Sequence, residues 1–250
     1  MSDLHNIELS YRLDDRPTSG PAVGLLALAE DATIESDLHA FLGDLSADIY
    51  TSRVHCEASI NADTLAAMAD RLDEALALMV PSTAVDVVAY GCTSGSMVLG
   101  QSTLEQAVHQ HRPNVPVTNP LLAARRWMEA TGVKRPAILM PYVQPLAAQV
   151  AQALVADSDR EISALGSFHC DQDPQVVRIN PRSIVHGVKN LLTGVDADGV
   201  FISCTALRLS GILQELCNSL SLPVSGSNHA LSEDIRRHCH SVPALKSGAA

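Results

Sequence analysis

Positive charge is scarce in this chain. Lysine and arginine total 17 against 28 aspartate and glutamate, a formal net charge of −11 over 250 residues. No stretch is basic enough to neutralise a run of phosphates, so nucleic acid is not an expected partner. Long apolar runs are missing too. Nothing approaches the length that spans a bilayer, and the opening MSDLHNIELSYRLDDRP has neither a basic n-region nor an apolar h-region. The expected compartment is therefore the cytoplasm, with no membrane partner. Six cysteines, at 56, 92, 170, 204, 217 and 239, form no C-x-x-C pair. Without metal-ligand spacing in a cytoplasmic chain they are expected to be free thiols, and no metal is expected. Gly/Ser linkers and low-complexity segments are also lacking.

What is present is a folded, globular composition, 46% hydrophobic and 18% charged. The length suits one α/β domain or two smaller lobes sharing a core. Short β-rich runs alternate with amphipathic segments, which predicts parallel sheet covered by helices. The predicted strands are 23–28, 49–55, 85–90, 115–118, 137–140, 162–168, 199–203 and 223–225. Helices are predicted between them over 33–42, 62–78, 96–111, 121–131, 145–156, 181–192, 210–220 and 229–240.

Stacking two unusual segments reveals an internal repeat. Val87-Val-Ala-Tyr-Gly-Cys92-Thr93 and Gly199-Val-Phe-Ile-Ser-Cys204-Thr205 are both apolar strands ending in small-Cys-Thr. Pro21-Ala-Val-Gly-Leu-Leu and Pro136-Ala-Ile-Leu-Met-Pro recur at nearly the same offset. The expectation is two similar lobes: 21–115 as the first, with 223–240 able to pack back on it, and 116–222 as the second. An extension (1–20) and a tail (241–250) flank them. Open α/β sheets bind ligands at the carboxyl ends of their strands, where both Cys-Thr pairs fall. One cleft between the lobes would then hold both thiols.

Cys92 stands where a strand runs through small residues, Thr93-Ser94-Gly95-Ser96, into a helix. Free amides and a positive helix end are expected there to lower the thiol pKa and to bind carboxylate. Ser203-Cys204-Thr205-Ala206-Leu207-Arg208 repeats the pattern without the glycine. The bland alternative is that each cysteine is a small buried hydrophobe.

YGCTSGSMVLG and FISCTALRL resemble the two signature segments of the aspartate/glutamate racemase superfamily, closest to its maleate isomerase and arylmalonate decarboxylase branch. The resemblance extends to Gly24 through Glu35, to Pro141-Tyr142 and to Leu222 through Asn228, covering about residues 20–240. It implies two flavodoxin-like lobes of parallel sheet related by a pseudo-twofold axis, with the active site between them. It also implies a cofactor-independent, homo-oligomeric enzyme, a dimer or tetramer, acting on a small carboxylate. Cys92 and Cys204 inherit the roles of nucleophile or base and of acid, without the resemblance fixing which takes which. Thr93, Ser94, Thr205 and Tyr142 inherit substrate binding. The decarboxylases keep only the second thiol, so the pair of cysteines argues against simple malonate decarboxylation.

Two positions depart from the maleate isomerases. Asp31 and Asp173 stand where those enzymes carry asparagine, and an ionised aspartate accepts but cannot donate hydrogen bonds to a dianion. Maleate-to-fumarate isomerisation is the leading expectation. Racemisation of an amino acid or N-acyl diamino acid is the rival, supported by a likeness of the first turn to ectoine-utilisation protein A. An arylmalonate decarboxylase-like enzyme and a non-catalytic carboxylate binder complete the alternatives.

Other residues are read as structural. His238, Cys239 and His240 do not share a helix face as metal ligands would. His109 and His111 belong on a surface, and Cys217 and Trp127 in the core or an interface. Cys56, Cys170, His169, Arg208 and Asn228 are weaker candidates for the cleft, and Ser227 is a candidate cap.

Overall fold

The computed structural model describes residues 6–240 apart from 15, 18 and 19. The expected tail 241–250, the first five residues of the extension and the side chain of His240 lie outside the described residues. The elements run β1 (Ala22–Leu28), α1 (Ile34–Phe41), β2 (Asp48–Val54), α2 (Ala62–Ala66), α3 (Leu72–Leu78), β3 (Val87–Gly91), α4 (Thr93–Leu99), α5 (Gln101–His111) and β4 (Val117–Thr118). They continue with α6 (Pro120–Thr131), β5 (Pro136–Tyr142), α7 (Leu146–Val155), β6 (Ala164–Cys170), α8 (Asp173–Val176), α9 (Pro181–Leu191), β7 (Gly199–Ile202), α10 (Leu213–Leu220), β8 (Val224–Gly226) and α11 (Ser227–His240).

The strands form two parallel sheets of the same order, β2-β1-β3-β4 and β6-β5-β7-β8. The fold is α/β, a repeated half-sheet with helices around it. In each sheet the two middle strands are fully buried, which their near-continuous apolar sequences require. β1 pairs with β3 up to Ala27↔Gly91, and β5 with β7 up to Leu139↔Ile202, so β3 stops one residue before Cys92 and β7 two residues before Cys204. β4 lies past residue 115 yet pairs with β3, while β8 pairs with β7 and leads into α11, which packs on α6 and α1. The last helix thus reaches across from the second sheet to the elements of the first.

Local chemistry explains several element ends. Asn119 accepts the amides of Leu121 and Leu122, both at 3.0 Å, with Pro120 at the first helical position. Asn61 and Thr64 form a reciprocal capping box. The helix predicted over 96–111 is two helices, broken at Gly100, whose φ of +76° glycine adopts without strain. The helix predicted from 210 begins only at Leu213. Trp127 is a core residue, its ring 5.9 Å from that of Phe201 on β7. Among the described residues no helix is long and apolar enough to cross a membrane.

Candidate active site

Cys92 follows β3 directly and is the N-cap of α4, its Sγ accepting the Gly95 amide at 3.2 Å with the Ser94 hydroxyl 3.6 Å away. The glycine in this motif is a packing requirement. A Cβ at residue 95 would fall 2.5 Å from the Tyr90 hydroxyl and 3.1 Å from the Cys92 sulfur.

Cys204 lies two residues past β7 with φ +151°, an unusual backbone for a residue with a side chain. The expected repeat of the strand-to-helix turn is not kept here, because other groups take the polar atoms that a helix would pair. The Cys204 amide donates to Ser227 Oγ at 3.0 Å, and Ser227 lies 2.8 Å from the Thr93 hydroxyl. Asp37, on α1, accepts the amides of Leu209 and Ser210 at 3.1 and 3.2 Å and the Asn228 side-chain amide at 3.1 Å. Asn228 also donates to the Thr205 carbonyl at 2.7 Å, and Thr33 to the Ala206 carbonyl at 3.1 Å. The loop after Cys204 is held by α1 and α11 rather than by its own helix.

Both thiols line one cavity of about 20 Å³, bounded by Asp31, Ser94, Tyr142, Asp173, Thr205 and apolar neighbours that include Ile60 and Leu65. Seven of the eight expected site residues therefore converge. Thr93 is the exception: its hydroxyl is taken by Ser227. Over the cavity, two loops from different lobes interlock. Ser59 and Gln172 form an antiparallel bridge, Ile60 N–H donates to the Asp171 carbonyl at 2.9 Å, and Asp173 N–H to the Ala58 carbonyl at 3.0 Å. The remaining space holds about one water, so these loops must part to admit a ligand.

The weaker candidates fall elsewhere. Cys56 and Cys170 are half-buried beside the core and do not line the cavity, and His169 is exposed. Arg208 points away, donating to the Ile179 carbonyl at 3.1 Å. Asn228 does not line the cavity, its side-chain amide being taken by Asp37 and the Thr205 carbonyl. Asp37 was invisible to motif reasoning, since its partners lie more than 170 residues away in the chain. Among the described residues no group of His, Cys, Asp or Glu is arranged to hold a metal ion.

The electrostatics reverse one expectation. Burial pushes the Cys92 thiol up to about 12, outweighing the Ser94 and Gly95 hydrogen bonds that favour thiolate. Cys204 is raised further by burial, against the opposing effect of the Tyr142 hydroxyl. Local hydrogen bonds, from Ser94 and Gly95 at Cys92 and from Tyr142 and the Ala206 backbone at Cys204, favour both thiolates, but burial is the larger effect. Asp31 is raised by burial, although the Thr33 and Ile34 amides, at 2.8 and 3.0 Å from Oδ1, favour its charged form. The Thr205 hydroxyl donates to the Gly91 carbonyl at 3.2 Å, not to Asp31, whose Oδ2 has no partner. Asp173 is raised to about 7, by burial first and then by the charges of Asp31 and Glu30.

Two repeated parallel sheets that each bring one thiol to a small, carboxyl-lined cavity define an α/β enzyme of the aspartate/glutamate racemase fold. Residues 50–245 match the arylmalonate decarboxylase family, and the chain belongs to that family. The maleate isomerase of Alcaligenes faecalis is 24% identical over 216 residues, 81% of this chain and 84% of that one. The fold is shared with a mutant of Nocardia farcinica maleate cis-trans isomerase carrying a covalently bound succinylcysteine intermediate. That match has a TM-score of 0.80 at 20% identity and covers 90% of this chain and 96% of that one. A liganded double mutant of arylmalonate decarboxylase superposes with TM-score 0.76 at 21% identity, covering 92% and 94%.

Proposed function

We propose that the protein is a cofactor-independent isomerase of small carboxylates that converts maleate to fumarate with Cys92 and Cys204. The observation that carries this is the pairing of both buried thiols in one cavity, from equivalent strands of the two repeats. The similarity to maleate isomerases supports the substrate, and the succinylcysteine of the Nocardia farcinica enzyme supports a covalent route.

In this mechanism Cys92 gives its proton to a carboxylate of the cavity as its sulfur adds to one alkene carbon. The π electron pair moves to the other carbon, which takes the proton of the Cys204 thiol. The former double bond is now single and rotates. The Cys204 thiolate then removes a proton from that carbon, the C–S bond breaks, the double bond re-forms trans, and Cys92 recovers its proton. Closure of the 58–60 and 171–173 loops keeps water from the carbanionic stage.

Proton NMR of the purified protein with maleate in D2O tests the proposal. The expected result is growth of the fumarate signal, abolished by Cys92→Ala and by Cys204→Ala in variants that remain folded. Full activity in either variant overturns the mechanism. The rival is racemisation of an amino-acid derivative, favoured by Asp31 and Asp173 both lining the cavity. It would show as loss of an α-proton signal with maleate untouched.

A further inference from the structure

Among the described residues, two carboxyl groups and no cationic side chain line the cavity that holds the thiols. Asp31 is 4% exposed, and its Oδ2 is buried without a hydrogen-bond partner. Asp173 enters the same cavity from the other lobe, at the start of α8. The ionisable neighbours of the pair offer little relief. Glu30 adds negative charge, as would Cys56, Cys92, Cys204 or Tyr142 if ionised. Arg53 is the cation acting on Asp31, but its guanidinium is engaged by the Leu28 and Asp31 carbonyls at 2.9 and 2.6 Å and by Glu35. Two carboxylates confined in a small, largely buried space repel each other strongly, and a dicarboxylate would bring two more negative charges.

We propose that Asp31 and Asp173 form a proton-holding pair that sets specificity: a dicarboxylate binds here together with one proton taken up from solvent by the pair. The protonated carboxyl donates a hydrogen bond to the ligand carboxylate, which an ionised aspartate cannot do. The proposal rests on reading the cavity as a dicarboxylate site. The step balances as carboxylate plus solvent proton giving carboxylic acid, with no bond to carbon changed. The other carboxylate stays available to accept the Cys92 proton. The raised pKa of Asp173 agrees with this geometry and places the proton there first.

The test is calorimetric titration of the whole protein with succinate, which lacks the double bond that a thiolate attacks. Buffers of different ionisation enthalpy report the protons taken up. Expected at about pH 8.5 is uptake of about one proton per succinate, with affinity weakening about tenfold per pH unit above about pH 7. Asp173→Asn should abolish the uptake and flatten the pH dependence; Asp31→Asn, which keeps the oxygen that accepts the Thr33 and Ile34 amides, is the second variant. Binding by wild type that is independent of pH and takes up no proton overturns the pair, as does undiminished uptake in both variants. Binding of aspartate, which brings its own ammonium group, with no succinate binding at any pH also overturns it. Maleate turnover is measured separately: proton-coupled succinate binding without turnover removes the isomerase and leaves the pair, and turnover with uncoupled binding does the reverse.

Discussion

Ser227 Oγ accepts the backbone N–H of Cys204 at 3.0 Å. The same hydroxyl lies 2.8 Å from that of Thr93, next to Cys92, so one buried side chain at the head of α11 joins the two thiol-bearing turns. Ser227→Ala leaves the Cys204 amide and the Thr93 hydroxyl without this partner. The expected cost is about 1–3 kcal/mol of stability. Maleate turnover should fall by more than that loss of folded protein accounts for, in kcat rather than KM, because the variant frees the backbone that aims Cys204. Unchanged kcat in a folded Ser227→Ala protein would show that the bridge does not position the thiol.

Asp37 holds the loop after Cys204 through three hydrogen bonds, two of them from backbone amides. Asp37→Ala removes the acceptor from those donors, the buried Leu209 amide and Asn228 among them, and is expected to destabilise by about 2–4 kcal/mol. Asp37→Asn retains one acceptor oxygen and should lose less. Urea denaturation of both variants checks the order, and equal midpoints for Asp37→Ala and wild type would refute it.

Asp173 has a folded-state pKa raised from 3.8 to about 7. The folded protein therefore binds this proton more tightly than the unfolded chain. Its contribution to stability is complete below the unfolded value and is lost as pH rises to about 7. Asp173→Asn should match wild type near pH 4 and exceed it by about 1–3 kcal/mol at pH 8. Thermal melts across this range decide the matter. A variant less stable than wild type at pH 8 contradicts the assignment.

Burial also predicts how Cys92 reacts. With its thiol raised to about 12, alkylation by iodoacetamide at Cys92 should keep accelerating beyond pH 10. A plateau near the ordinary thiol pKa of about 8.5 would mean that the resting cavity is open to water. Peptide mass spectrometry separates Cys92 from the half-buried Cys56, Cys170 and Cys217.

Much of the fold was legible because its causes are local. The middle strands are runs such as Ala22–Leu28 and Pro136–Tyr142 that must be buried on both faces, and helix boundaries such as Asn119-Pro120 carry their caps with them. The candidate site was legible where chemistry sits at the end of a strand, as at Cys92 and Cys204. Thr93 falls outside the cavity lining, its hydroxyl paired with Ser227, which comes from the far end of the chain. The helix expected after Cys204 fails for the same reason: Asp37 and Asn228 compete for the loop's polar atoms, and no window around residue 204 contains them.

The sequence by itself determined the alternation of strand and helix, the duplication, and the two Cys-Thr turns, all consequences of short-range periodicity and of a repeat. Only the tertiary structure decided that Asp31 and Asp173 meet over one small cavity and that the thiols are raised rather than lowered. Burial and the summed field of distant charges are properties of the packed whole. They outweigh the helix-end contribution that a local reading of Cys92 detects.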